Sequence, residues 1–83
     1  MFLAARYTLA LTITKSNGKP VRKTIEVDAD IEDGSVRQML RQIRRDASIY
    51  ICEAILPTLN RQSVIGEVIA PRIEREDGTY FAI

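Results

Sequence analysis

The sequence predicts a small single-domain α+β protein spanning residues 1–83, with an antiparallel sheet of ββαββ order and one long amphipathic helix packed on one face. Three observations predict it. Residues 5–15 and 21–29 alternate apolar and polar across an Asn17-Gly18 turn, residues 35–56 carry one helical stripe, and Asp77-Gly78 marks a second tight turn.

In the first strand Tyr7, Leu9, Leu11 and Ile13 share one face, and Arg6, Thr8, Ala10, Thr12 and Thr14 share the other. Such alternation describes a strand with one face buried. Asn-Gly tolerates the positive φ that a tight hairpin turn requires, and Pro20, which lacks an N–H, suits a strand start. In the second strand Val21, Ile25, Val27 and Ala29 face in, while Arg22, Thr24, Glu26 and Asp28 face out. Lys23 breaks the inner row and is expected near the hairpin tip. Residues 30–34 read as a loop.

Ser35, with Gln38 three places on, has the spacing of a capping box. Val36, Met39, Leu40, Ile43, Ala47, Tyr50, Ile51 and Ala54 then recur on an arc of about 120°, a core-facing stripe. Pro57 disfavours helical geometry at Leu56 and ends the helix there. At about 1.5 Å per residue this helix is long enough to lie along the whole hairpin. Residues 64–70 favour a strand through their Val and Ile, although the spacing of Val64, Ile65, Val68 and Ile69 leaves a short helix open, and Pro71 limits the segment. Residues 73–75 and 79–83 read as a hairpin around Asp77-Gly78.

Composition narrows the function. Apolar residues are 46% and charged residues 28%, a globular balance, and the net charge of +1 forces neither a nucleic-acid nor a membrane partner. No apolar run approaches the length of a membrane span and no signal segment is visible, so a soluble chain is expected. Cys52 is the lone cysteine, which excludes an internal disulfide and fits a reducing cytoplasm. Without histidine there is no Ser-His or Cys-His pair, and no glycine-rich phosphate loop is present. Cys52 lies among Ile51, Ile55 and Leu56 and reads as a small buried hydrophobe. The acidic run Asp28, Asp30, Glu32, Asp33 fails as a calcium loop, because the required glycine position holds Asp33 and the terminal glutamate position holds Met39. No catalytic residue, cofactor or metal is expected.

The helix carries the most informative pattern. The chain has nine arginines against three lysines, and arginine is favoured where a planar, bidentate cation is needed. Arg37, Arg41, Arg44 and Arg45 lie on an arc of about 100° beside the apolar stripe. Cations near a helix start oppose its macrodipole, so something should offset them. Local pairing with Asp33, Asp46 or the acidic run is one answer, and an anionic partner is the other. Further along, Ile49, Cys52, Ile55 and Leu56 fall outside the stripe that one sheet face covers, and are expected to meet a second copy. The expected function is a non-enzymatic protein-interaction or regulatory module. It would be a homodimer with an acidic protein partner, in the size class of small phage and mobile-element binders or inhibitors of host proteins. The alternative is a nucleic-acid-binding regulator using the same arginines with Lys15, Lys19, Arg22 and Lys23 of the hairpin.

Overall fold

The computed structural model describes residues 1–60 and 62–83. The strands are β1 (Phe2–Lys15), β2 (Val21–Glu32), β3 (Gln62–Glu74) and β4 (Tyr80–Ala82). Between β2 and β3 lie α1 (Val36–Tyr50), a π-helical turn (Ile51–Ile55) and a 3-10 turn (Leu56–Thr58). The four strands form one antiparallel sheet in the order β2-β1-β3-β4, with the helix on one face: an α+β domain of ββαββ order.

β1 is the central strand and supplies the floor of the core. Tyr7, Leu9 and Leu11 are fully buried on its helix side, with Ala5 and Ile13. Tyr7 pairs with Val27 and Leu9 with Ile25, so the alternation of both strands points to the same side. The hairpin is longer than expected at its open end. β2 continues through residues 30–32, because Asp30 and Glu32 keep to the outer face while Ile31 turns inward and is buried. Gln42 of the helix closes this end: its side chain accepts from the Glu32 N–H at 2.7 Å and donates to the Glu32 carbonyl at 3.1 Å.

The helix starts where its capping box is. Ser35 Oγ accepts from the Gln38 N–H at 3.2 Å, and Gln38 Oε1 accepts from the Ser35 N–H at 3.0 Å. The stripe buries Met39, Ile43 and Ala47 and half-buries Leu40, Tyr50 and Ile51, while Val36 and Ala54 at its two ends stay exposed. Helical geometry runs unbroken to Thr58, but the hydrogen bonding widens at Ile51–Ile55. A π turn inserts one residue into the helical phase. The inserted residue carries Ala54 outward and brings Ile55 against the core. The helix does not cover the whole hairpin. Its last turns lead into β3, whose first residue Gln62 stands opposite Lys15. Val21 and Lys23 on the β2 side of the tip are left exposed.

Residues 64–70 are strand, and Pro71 does not end it. β3 runs on to Glu74 through a bulge in which Ala70 and Pro71 together face Tyr7 of β1. Ala70 adopts φ 52°, the left-handed region that one class of bulge uses at its first position. The bulge shifts the alternation, so Val64, Gly66 and Val68 face the helix before it and Ile73 after it. Gly78, at φ 85°, makes the turn into β4, and the Ile83 N–H donates to the Pro71 carbonyl at 3.1 Å.

Candidate functional site

The outer face of the helix gathers the residues singled out from the sequence. Arg37, Arg41, Arg44 and Arg45 are all exposed. The ion pairs among the described residues are Arg6–Asp28 and Arg72–Glu26, and neither involves a helix arginine. Asp46, one of the acids that could have neutralised them, accepts instead from the Tyr7 hydroxyl at 2.6 Å. Glu32 and Asp33 share a shallow depression with Arg41 and Arg45 without pairing to them. The first turn of the helix holds no acidic residue that would offset Arg37.

One turn beyond Arg45 the same face becomes apolar. Ile49 is 48% exposed and Leu56 40%, with Cys52 exposed between them. The expectation that Cys52 is buried is therefore corrected: the residue lies on the side of the helix away from the sheet. Ile55 is separated from this group. It is half-buried and packs on the core, because the π turn rotates it toward the sheet. Arg37, Arg41, Arg44 and Arg45 with Ile49, Cys52 and Leu56 thus form one continuous face, charged at the helix start and apolar at its end.

The hairpin cations do not join it. The helix begins beside Glu32, which pairs with Phe2, and Asp46 stands over Tyr7. Lys15 and Lys19 lie at the hairpin tip, about 25 Å or more beyond Tyr7 at strand rise, while Arg22 and Lys23, level with Thr12 and Leu11, lie about 13–17 Å beyond it.

A second polar array lies on the opposite side of the sheet, the outward face of the alternating strands. Arg6 Nε donates to Asp28 Oδ1 at 2.6 Å and Arg72 donates to Glu26 Oε2 at 2.6 Å, while the Thr8 hydroxyl also reaches Glu26. The hydrogen bond from Arg6 holds the Asp28 carboxyl below its usual range. The guanidinium carbons of Arg6 and Arg72 stand 5.1 Å and 5.8 Å from the Tyr80 ring centroid. The signal that could have found this ladder is the facing of Arg6 and Asp28 across the first hairpin, but Arg72 joins it only through the bulge.

Among the described residues no helix is long and apolar enough to cross a membrane, and no three His, Cys, Asp or Glu side chains cluster as a metal site. The helix face offers guanidinium donors, unpaired among the described residues, beside an apolar strip. No protein-family model, curated protein or solved structure matches this chain.

Proposed function

We propose that the chain is a non-catalytic protein-interaction module, a small regulator that docks on a larger partner through the outer face of its helix. The observation that carries this reading is the continuity of the four unpaired arginines with exposed Ile49, Cys52 and Leu56. Guanidinium groups recognise carboxylates bidentately, and an apolar strip beside them supplies the desolvated centre that a stable interface needs. The partner surface is therefore acidic at one end and apolar at the other. The reading places the chain in the reducing cytoplasm, where Cys52 stays a thiol. Two features support a protein partner over a nucleic acid. The hairpin-tip cations Lys15 and Lys19 stand well apart from the helix arginines along the strands, and no aromatic ring interleaves with the arginines for base stacking.

The test is a nuclease-treated pull-down with the wild-type chain and with Arg41→Glu/Arg45→Glu and Leu56→Glu variants. A protein retained by the wild type and lost by both variants is the expected result. Recovery of nucleic acid alone, with affinity falling steeply against log salt, would replace this reading by the nucleic-acid one.

A further inference from the structure

The two long edges of the sheet are built differently. The free edge of β2 carries Arg22, Lys23, Glu26, Asp28, Asp30 and Glu32, the charge loading that keeps an edge strand from pairing with another chain. β3 has no such protection. β4 pairs only with Arg72, Ile73 and Glu74, so no described residue pairs with the outer edge of residues 62–69. That stretch, Gln-Ser-Val-Ile-Gly-Glu-Val-Ile, has Glu67 as its sole charge. Ile65 on it is 72% exposed, on the sheet face away from the helix. A β-branched edge with a single charge and open backbone groups is a template for another strand.

We infer that this edge of β3 pairs antiparallel with the same edge of a second copy, around a two-fold axis at Ile65. The inference deepens the reading of the chain as an interaction module and rests on it. The edge is self-complementary in this register. Ile65 meets Ile65 of the second copy, Val64 meets Gly66, and Ser63 meets Glu67, so the edge's single charge never faces its own copy. A β2 edge opposite β3 would bring unmatched charges against the apolar run and would leave the assembly open-ended, whereas the isologous pair closes. The helices also permit it. Both lie on the same face of the joined sheet, and Ile51 packs over Gly66 beside the axis. Arg44, seven residues back, is then about 10 Å from the axis along the helix, and the arginine ends of the two copies point away from each other. The helix face that docks the partner is left open in both copies.

The experiment is sedimentation of the full chain at micromolar concentration, as wild type, Ile65→Lys and Leu56→Glu. A wild-type dimer, an Ile65→Lys dimer weakened at least about tenfold, and an unchanged Leu56→Glu dimer are expected. Two lysines facing each other at the axis repel, while the exposure of Ile65 leaves the fold unaffected, which circular dichroism checks. In a second arm, Ile65→Cys in a Cys52→Ser background is oxidised with copper phenanthroline. Residues opposite each other in an antiparallel pair are close enough for a disulfide, so a cross-linked dimer is expected. A monomeric wild type, a dimer indifferent to Ile65→Lys, or absence of the cross-link would overturn the inference. Loss of the dimer in Leu56→Glu would move the interface to the helix. Partner capture in the pull-down that survives with a monomeric chain overturns this inference alone. A dimer that captures nothing overturns the partner reading alone.

Discussion

The δ-methyl of Ile51 occupies the space above Gly66 in which any other residue would carry its Cβ. Ile51 opens the π turn and Gly66 sits opposite Leu11, so this one contact docks the second half of the helix onto the middle of the sheet. A branched side chain at Gly66 would have to displace Ile51 from the core edge. Gly66→Val is expected to cost about 1–3 kcal/mol, as overpacking does. Ile51→Ala in the same chain should restore part of that loss. Urea melts of the two single variants and the double variant at one chain concentration measure the coupling.

The apolar stripe is not uniform in depth. Ile43 is fully buried between helix and sheet, whereas Leu40 is only half-buried. Ile43→Ala should cost about 2–5 kcal/mol and Leu40→Ala about 1–2 kcal/mol, because the transfer and cavity terms both scale with what is buried. Equal losses in denaturant melts would show that the outer side of the stripe is covered by something beyond this sheet.

Ile55 makes a sharper distinction. If it stood on the outer helix face with Ile49 and Leu56, a charge there would disturb association alone. It packs on the core instead. Ile55→Glu should therefore lower the melting temperature of the chain at any concentration, and Leu56→Glu should not. Thermal melts at two well-separated concentrations separate the cases.

How much of this was legible before the structure depends on phase. The hairpin over residues 5–15 and 21–29, the capping box at Ser35 and the arginine arc follow from fixed periods and local chemistry, and each stands where the pattern put it, although β2 runs on through residues 30–32. What escaped were one-residue insertions. The π turn moves Ile55 inward and Ala54 outward, and the Ala70–Pro71 bulge flips the alternation of β3 so that the strand reads as two fragments. The outer-face ladder was hidden for a related reason: Arg72 reaches Glu26 only in a register that the bulge sets. Side-chain periodicity carries no mark of an inserted residue, since the extra position is paid by backbone geometry alone.

Tyr7 gives the fold an alkaline limit. Burial first, and then its hydrogen bond to Asp46, hold its hydroxyl well above the ordinary value of 10.0. A raised value in the folded chain means that the stabilisation is whole below pH 10.0 and declines above it, as the phenol of the unfolded chain ionises while the native one stays protonated. Tyr7→Phe should cost about 1.5–3 kcal/mol near neutral pH, from the lost bond to a carboxylate. It should also flatten the fall in stability above pH 10.0, since no phenol is left at this position to ionise. Urea melts across about pH 7 to 11 compare the two chains, other groups titrating alike in both. Parallel curves would remove Tyr7 as the source of the alkaline limb.

β4 is held by its neighbours' side chains more than by its own length. It spans only Tyr80–Ala82. The guanidinium groups of Arg6 and Arg72 both approach the Tyr80 ring, and the Phe81 ring has Arg75 5.1 Å from its centroid. A cation near an exposed ring contributes about 0.5–1 kcal/mol, so the two at Tyr80 rival the backbone bonds of so short a strand. The ion pairs beneath them are exposed and individually weak. Tyr80→Ala should therefore release β4 locally while the rest of the sheet holds. Amide hydrogen exchange reads this directly: the Arg75 and Ile83 amides, which donate to Thr79 and Pro71, should exchange at least about tenfold faster, with those of Leu9 and Leu11 unchanged. Asp28→Asn, which removes a carboxylate but leaves the ring and both cations, should leave β4 protected. Equal acceleration in the two variants would assign the strand's anchorage to the ion pair rather than to the ring.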